Sequence, residues 1–345
     1  NDPRKLTGMY TDEEIKDMSD EEYRNNLYSL WTNYCVSESY EPGSTFKPVT
    51  VASALEEGVV KDGDTYVCKG FETVADYKLK CHVFSTIGSH GSLTVEQALM
   101  NSCNPYMIHL ALEMGNSRFA YYQSLFGFGK ITGIDLPGET TGIVYGDRMT
   151  TIDAACNSFG QTINVNMMQM MAAYCSIING GMLYQPHIVK RIESANGEVV
   201  KEYKANLVRQ TITASTSKLL RRYLKNTVEE GTAKKAGVTG YSVAGKTGTA
   251  QKGDRKDNKW IISFIGHAPA ENPKFAIYVV IDEPYGTTGT SGSSADVLTL
   301  THNILEKLLP YMNVYKDASD EYEDTSSSPD ELTVDGIPAG TASSN

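Results

Sequence analysis

The sequence predicts a mixed α/β protein of the α+β type, in which an antiparallel sheet is flanked by helices and accompanied by an all-helical subdomain. Residues 241–251, 259–267 and 274–282 read as three consecutive antiparallel strands with a short polar link. Amphipathic helical patterns stand on either side of them, over residues 213–230 and 295–309. Helices that pack on an antiparallel sheet are typical of this layered architecture.

The elements of the N-terminal region follow from helix-start signals. Thr11-Asp12-Glu13-Glu14 and Ser19-Asp20-Glu21-Glu22 each place a polar cap before acidic residues, which suit a helix N-terminus. Glu41-Pro42-Gly43 predicts a turn, and Pro48 fits only in the first turn of a helix. We therefore expect a helix that begins near Ser44 and runs to about residue 57.

The next region is predicted to hold a small hairpin-like subdomain over residues 60–91, followed by two helices. Thr94 and Gln97 form a capping box for the first helix, and Pro105 can open the second. Residues 101–104 are then an interhelical loop, which is a good place to present side chains.

Further along the chain, a helix is expected around residues 165–178 and a hairpin over residues 188–203, turning at Asn196-Gly197. We place one domain at residues 1–312. Residues 313–345 are acidic and rich in serine, and such a segment cannot bury enough apolar surface to fold, so we predict a disordered tail.

Composition excludes several classes of function. The chain has 345 residues, 40% of them hydrophobic, and a net charge of −11, which argues against nucleic acid as a partner. No apolar run approaches the roughly 20 residues that span a bilayer, and no signal peptide opens the chain. We therefore expect any export signal to lie upstream of Asn1.

A candidate nucleophile and its base stand together in Ser44-Thr45-Phe46-Lys47. Serine needs a base within hydrogen-bond reach, and a lysine amine can serve when its pKa is lowered by burial or by a second cation. The i, i+3 spacing puts Ser44 and Lys47 on the same helix face, where backbone N–H groups at the helix start would face an oxyanion.

Two further motifs complete the set, Ser102-Cys103-Asn104 and Lys246-Thr247-Gly248-Thr249. The first offers a second hydroxyl in the interhelical loop, and the second places a cation and two glycines in a strand, where a ligand or another backbone can approach closely. Each has a structural alternative: Asn104 as a helix cap, and Lys246 as a charged guard on an edge strand.

The patterns of the first two motifs each occur a second time in the chain, and these decoy copies test which copy belongs to an active site. Ser215-Thr216-Ser217-Lys218 repeats the first motif and Ser194-Ala195-Asn196 the second, and both read as ordinary cap or turn sequences. The decoys stand in the reverse order along the chain. The order nucleophile, second hydroxyl, basic strand is the signature of penicillin-binding proteins and class A β-lactamases.

On these motifs and their neighbours, the chain closely resembles the transpeptidase domain of the class B penicillin-binding proteins, which are peptidoglycan D,D-transpeptidases. Tyr40 to Pro48, Asn101 to Asn104, Gly245 to Gln251 and Phe159-Gly160-Gln161 carry the resemblance, which covers roughly residues 1–312. It implies the penicillin-binding/β-lactamase-like fold. It also implies that two strands and a membrane-anchored region precede this segment in the family.

The resemblance implies roles for the motif residues. Ser44 would attack the carbonyl between two D-alanines of a stem peptide, and Lys47 would take its proton. Ser102 would pass a proton to the departing amine, with Lys246 keeping the network correctly charged. The substrate-binding residues would be Asn104 for the amide, Thr247, Gly248 and Thr249 for the terminal carboxylate, with the N–H groups of Ser44 and Thr249 as oxyanion hole.

Partners and location are implied by the same resemblance. The substrates would be peptidoglycan stem peptides that end in D-Ala-D-Ala, and β-lactam antibiotics would acylate Ser44 stably. No cofactor is required for this chemistry. The protein would lie on the extracytoplasmic face of a bacterial membrane and work with a membrane glycosyltransferase through its N-terminal region.

A metal site is a further hypothesis. Cys68, Cys81 and His90 fall within the small subdomain, and two thiolates with an imidazole and a fourth ligand would suit a structural Zn²⁺. Three interpretations stay open: zinc, a Cys68–Cys81 disulfide, and free thiols. We expect the cysteines at 35, 156 and 175 to be small buried residues.

Two alternative functions share the fold. A β-lactamase needs a base, often a glutamate, that activates a deacylating water. The sequence does not assign one: Glu139 follows Pro137-Gly138 in a loop, which alone is a weak indication. A non-catalytic β-lactam sensor or scaffold would keep the fold without cross-linking, but all the chemical residues are present in this chain.

Overall fold

The structure, a computed structural model, describes residues 10–253, 259–284 and 293–318. The α-helices are α1 (Asp12–Asp17), α2 (Asp20–Leu30), α3 (Tyr34–Ser37), α4 (Lys47–Glu57), α5 (Val95–Met100), α6 (Asn104–Met114), α7 (Asn116–Leu125), α8 (Thr151–Asn157), α9 (Met167–Ile178), α10 (Ala214–Glu229) and α11 (Ala295–Tyr311). The strands are β1 (Thr65–Cys68), β2 (Phe71–Val74), β3 (Tyr77–Lys80), β4 (Gly91–Thr94), β5 (Met182–Gln185), β6 (Arg191–Glu193), β7 (Val199–Glu202), β8 (Asn206–Gln210), β9 (Ala244–Lys252), β10 (Lys259–Ala268) and β11 (Phe275–Asp282).

The main sheet has the predicted antiparallel strands in the order β11-β10-β9. Lys246 lies opposite Ile265 and Thr249 opposite Ile262, so β9 is held along its length by β10. Successive residues of β10 point to opposite faces of the sheet. Phe264 accordingly packs with α11 in one hydrophobic core, while Ile265 belongs to the larger core among the other helices.

Helix α4 runs through the larger core and fixes the position of the nucleophile turn. Every residue from Lys47 to Ala54 is buried. A helix that is buried all round is enclosed by other elements rather than lying on the surface, and α4 contacts α6, α9 and α10. It ends at Gly58, whose φ of 77° is the left-handed conformation of a helix C-cap.

The predicted small subdomain and hairpin are both confirmed. In the subdomain, β1 pairs with β4 and β2 pairs with β3, and this subdomain leads directly into α5. Farther along the chain, β6 and β7 pair as a hairpin, in which Gly197 has a φ of 84° in the turn.

The predicted tail begins later than expected. Val314 is buried against α11's core, and the N–H of Asp317 donates to the carbonyl of Gly240 at 3.0 Å. The Asp317 carboxylate accepts from the N–H of Ser242 at 2.7 Å. The prediction of disorder is therefore wrong for residues 313–318, because one apolar side chain and one carboxylate find partners on the domain. Residues 319–345 lie outside the described part of the chain.

Two smaller observations complete the fold. Within the described ranges, none of the helices combines the length and the apolar character needed to cross a bilayer. The prediction that Cys35 is buried is wrong, because this residue is exposed at the start of α3.

Candidate active site and metal cluster

The nucleophile turn is a short 3₁₀ segment, Gly43–Phe46, that leads into α4. Ser44 stays partly exposed, whereas Lys47 is entirely buried. Gly43 has a φ of 56°, and a Cβ at this position would lie 2.6 Å from the carbonyl oxygen of Thr249. Only glycine therefore lets the turn approach β9 this closely.

Ser102 lies in the predicted loop between α5 and α6. Its φ is 55°, a left-handed conformation that costs a non-glycine residue of the order of 1 kcal/mol or more. Backbone hydrogen bonds hold this conformation: Ser102 N–H donates to Leu99 O at 3.2 Å and Cys103 N–H to Ala98 O at 2.8 Å. In this conformation the Ser102 hydroxyl faces Lys47, the first residue of α4.

A continuous hydrogen-bond chain joins the first two motifs. The Lys47 ammonium donates to Ser102 Oγ at 2.9 Å, to Ser102 O at 2.6 Å and to Asn104 Oδ1 at 2.7 Å. Ser102 Oγ in turn donates to Ser44 Oγ at 3.0 Å. The three bonds that Lys47 donates use all three protons of its ammonium group. The expected direct contact between Lys47 and Ser44 is thus replaced by a link through Ser102.

Asn104 does not serve as the helix cap that its sequence position allowed. It is the first residue of α6, and its amide is used on both sides: the oxygen accepts from Lys47, and Nδ2 donates to Lys80 O at 3.3 Å. The structural alternative for Asn104 is therefore wrong.

The third motif lies in β9 directly beside the nucleophile turn. A Cβ on Gly248 would lie 2.9 Å from Pro42 O and 2.5 Å from Ser263 Oγ, so the glycine permits the close backbone approach predicted for it. Lys246 is fully buried, which excludes the alternative of a solvated guard on an edge strand. Thr247 is buried and Thr249 half-buried.

Burial sets the protonation of both lysines. Desolvation lowers the pKa of Lys47 to about 8, and it also lowers the pKa of Lys246 well below its ordinary value. The nearby Lys47 charge lowers the pKa of Lys246 as well. The lowered pKa of Lys47 makes its neutral amine available as a base near neutral pH.

The serines of the two decoy motifs form hydrogen bonds that stabilise a helix N-terminus and a turn. Ser215 Oγ lies 2.9 Å from Thr213 Oγ1 at the N-terminus of α10, and Ser217 Oγ accepts from Gly180 N–H at 3.0 Å. Ser194 bonds within the turn between β6 and β7, where its hydroxyl donates to Glu198 O at 3.2 Å.

Glu139 is likewise committed to a loop. Its carboxylate accepts from Thr132 N–H and Oγ1, both at 2.7 Å, and from Gly133 N–H at 3.1 Å. These bonds give Glu139 a structural role in closing the loop between residues 132 and 139.

A second cluster lies behind the Ser102 loop. One ligand atom each from Cys68, Cys81, His90 and Cys103 lies within 4.8 Å of the others. His90 Nδ1 is 3.5 Å from Cys81 Sγ and 3.8 Å from Cys68 Sγ. Ligands of a tetrahedral Zn²⁺ with Zn–S of about 2.3 Å stand roughly 3.8 Å apart, so three thiols and one imidazole fit this ion. All the cysteines are free thiols in this structure.

Cys103 is the donor that sequence reasoning missed. Cys103 is the middle residue of Ser102-Cys103-Asn104, and its sequence context gives no sign of a metal ligand, because its thiol meets the other donors only in three dimensions. A hydrogen bond between Cys81 and Cys103 lowers the pKa of Cys81 and raises that of Cys103. The shared loop connects the cluster to the hydrogen-bond chain of Ser44.

A tyrosine network beneath the nucleophile turn was also missed. Tyr278 OH in β11 lies 2.8 Å from Tyr40 OH and 3.3 Å from Thr45 Oγ1. Thr45 Oγ1 itself donates to Pro42 O at 2.7 Å. These contacts join β11 to the turn, and no sequence pattern relates residues so far apart.

The fold and the site together match known proteins. The family model described as the penicillin binding protein transpeptidase domain matches residues 10–306. The chain belongs to this family. The transpeptidase-domain match extends to individual relatives: the chain is 41% identical over 288 residues to stage V sporulation protein D of Bacillus subtilis, covering 82% of this chain and 44% of that protein. It is 32% identical over 292 residues to peptidoglycan D,D-transpeptidase FtsI of Escherichia coli, covering 83% and 46%.

Solved structures of the same family share the architecture. Penicillin binding protein 3 of Mycobacterium tuberculosis in its apo form matches with a TM-score of 0.74 and 28% identity, over 84% of this chain and 66% of that one. Its complex with ampicillin matches with a TM-score of 0.75 and 29% identity, over the same shares. The fold class is thus confirmed. The chain spans less than half the length of the curated relatives named above.

Proposed function

We propose that the protein is a serine D,D-transpeptidase that cross-links peptidoglycan stem peptides through an acyl-enzyme on Ser44. The observation that carries this proposal is the hydrogen-bond chain from Ser44 through Ser102 to Lys47, closed on its other side by the Lys246 strand. The relatives named as D,D-transpeptidases support the reaction class.

The chemistry follows from the chain of contacts. Ser44 Oγ attacks the carbonyl carbon between the two terminal D-alanines, and its proton passes through Ser102 Oγ to the neutral amine of Lys47. The carbon–nitrogen bond then breaks, and the proton returns through Ser102 to the departing D-alanine amine. An acceptor amine from a second stem peptide attacks the ester carbonyl, and the bond between that carbon and Ser44 Oγ breaks. The proton that the acceptor amine loses passes through Lys47 and Ser102 to Ser44 Oγ.

Substrate binding is assigned to the edge of β9 and to Asn104. Gly248 and Thr249 lie against the turn that carries Ser44, and Thr247 precedes them in β9, where its carbonyl accepts from Lys246 Nζ at 3.2 Å. The N–H groups of Ser44 and Thr249 are the proposed oxyanion hole. A β-lactam would be opened by the same attack, but its leaving group stays tethered and the ester persists.

Labelling with a fluorescent penicillin tests the nucleophile. We expect the wild-type protein and the control variant Ser215→Ala to be labelled equally, because Ser215 lies in the first turn of α10 and its hydroxyl contacts the N-cap residue Thr213 at 2.9 Å. Ser44→Ala should lose labelling altogether. Labelling of Ser44→Ala at the wild-type level would discard the assignment.

Release of the bound penicillin separates a transpeptidase from a β-lactamase. Because Glu139 is committed to its own loop, no deacylating base is assigned, and we expect release to take many minutes or longer. Turnover within seconds would identify a β-lactamase instead.

We also propose that Cys68, Cys81, His90 and Cys103 hold a structural Zn²⁺. Four protein donors close the coordination of this ion, and such closed sites stabilise folds rather than activate water. In this protein the bound ion would tie the small subdomain to the loop that carries Ser102.

Elemental analysis tests the metal. We expect one zinc per chain in the wild-type protein and in Cys156→Ala, and a loss of zinc together with a lower melting temperature in Cys103→Ala. If the wild-type protein contains no metal, and if Cys68 and Cys81 react with an alkylating reagent only after reduction, the zinc proposal is wrong and the two cysteines form a disulfide.

For location, we propose the outer face of a bacterial membrane, with a membrane glycosyltransferase as partner. The support is membership in the transpeptidase family. Cross-linking of the full-length protein in cells would test both proposals, and recovery of the protein only from the cytoplasm would contradict them.

A further inference from the structure

Strand β3 of the small subdomain ends at the active site. The carbonyl of Lys80, its last residue, accepts from Asn104 Nδ2 at 3.3 Å, and the same Asn104 accepts from the Lys47 ammonium. The next residue, Cys81, belongs to the thiol cluster and donates its N–H to Gly70 O at 2.7 Å. The backbone of β3 is thus anchored one residue from the catalytic hydrogen-bond chain.

Two exposed lysines share one face of this strand. Side chains alternate along a strand, so Lys78 and Lys80 lie on the face opposite to Leu79. Lys78 Nζ is 3.8 Å from the ring centroid of Phe71 and 5.1 Å from that of Phe84, and Lys80 Nζ is 5.0 Å from Phe84. The two aromatic rings orient both ammonium groups.

These charges lack a carboxylate partner in the described part of the chain, where neither lysine forms a salt bridge. Of the acidic residues in the hairpin, Glu72 lies opposite Leu79 on the other face and is hydrogen-bonded by Tyr66 OH, and Asp76 lies in the turn between β2 and β3. A pair of uncompensated cations is unusual on a chain with a net charge of −11. Such a local field attracts anions to the mouth of a cleft.

We propose that the Lys78–Lys80 face, with Phe71 and Phe84, is a subsite for a free carboxylate that the peptide substrate carries in addition to its C-terminal one. The subsite deepens the function proposed above and rests on it. Lys47 and Lys246 lie at the reacting end of the peptide. In this proposal the preceding residues of the peptide run along β3, whose last carbonyl accepts from Asn104.

The test uses two thioester donor substrates that end in D-Ala-thiolactate and differ in one preceding side chain, a carboxylate or the corresponding carboxamide. We expect the wild type to prefer the carboxylate by about fivefold in kcat/KM, as for an exposed ion pair of about 1 kcal/mol, and less at high salt. The double variant Lys78→Met and Lys80→Met should treat the two donors alike.

A matched control removes the same charge elsewhere. Lys201 lies over the Tyr203 ring at 4.3 Å on the distant hairpin, and Lys190 precedes β6. We expect Lys190→Met with Lys201→Met to keep the wild-type preference. Penicillin labelling should be unchanged in both double variants, which shows that the site is folded.

The possible outcomes distinguish a failure of the proposed subsite from a failure of the proposed transpeptidase function. A wild type without preference for the carboxylate, or a Lys78/Lys80 variant that keeps the preference, would overturn the subsite while penicillin labelling stands. A wild-type protein that penicillin does not label would instead overturn the proposed transpeptidase.

Discussion

At the scale of single residues, burial of amines and imidazoles determines how the protein responds to pH. Lys47 is enclosed with no carboxylate beside it, so its charged form is disfavoured and its pKa falls to about 8. This residue can therefore act as a base at a pH where an ordinary lysine stays protonated. His267 is buried in the same way within the sheet.

The Lys47 assignment predicts the pH dependence of acylation. Only the neutral amine accepts the Ser44 proton, and its fraction rises as the pH increases toward the pKa of about 8. We expect the second-order rate constant for penicillin acylation to rise about tenfold from pH 6 to pH 7 and to level off above pH 8. Stopped-flow measurement of labelling checks this. A rate that falls across the same interval would contradict Lys47 as the base.

His267 predicts a loss of stability in mild acid. Its Nδ1 lies 2.8 Å from Tyr174 OH and its Nε2 lies 3.1 Å from Ala270 O, and burial lowers its pKa to about 4 from 6.5. Because the unfolded chain binds the proton first, this stability is complete above pH 6.5 and is lost as the pH falls toward 4. The loss amounts to roughly 3 kcal/mol at most.

Urea unfolding between pH 7 and pH 4.5 measures this effect. We expect His267→Asn to be less stable at pH 7 and to lose less stability on acidification than the wild type. The exposed His187→Asn should follow the wild type. Parallel slopes for all three proteins would refute the role of His267.

At the scale of elements, the site depends on how closely the nucleophile turn packs against β9, β10 and β11. Gly43 and Gly248 permit the close contact between the turn and β9. The Tyr278 hydroxyl in β11 stabilises the turn through its hydrogen bonds with Tyr40 and Thr45. Burial raises the pKa of Tyr278, so the phenol stays neutral and keeps its hydrogen bonds.

Removal of one hydroxyl tests this packing. Tyr278→Phe should lower the free energy of unfolding by about 1 kcal/mol and should also slow acylation, because Thr45 neighbours Ser44. Tyr122→Phe is the matched control, since Tyr122 OH donates to Glu57 at 3.0 Å on the far side of α4. It should lose similar stability without any change in the acylation rate. Equal acylation rates in the two variants would show that Tyr278 has only a structural role.

The elements themselves were largely predictable from the sequence. Capping boxes at Thr11, Ser19 and Thr94 gave helix starts that the structure confirms, because these signals act within four residues of the chain. The position of the Ser102 hydroxyl between Lys47 and Ser44 was not predictable in the same way. It depends on a left-handed backbone that a serine adopts only when surrounding contacts enforce it.

At the scale of the whole molecule, three distant stretches of chain meet between two hydrophobic cores. The helical core holds Phe46 and Val49 next to the nucleophile, while Ile262 and Phe264 fix the sheet against α11. The order of the motifs predicted this meeting. It could not reveal that Cys103 completes a donor set with the small subdomain, because that set forms only in three dimensions.

The central claim is that Ser44, and no other residue, becomes acylated. Mass spectrometry of the proteolysed penicillin adduct tests it most directly. We expect the added mass on the peptide that contains Ser44, with fragment ions that place it on that residue. An adduct on Ser102, on the Ser215 peptide or on any cysteine would contradict the account.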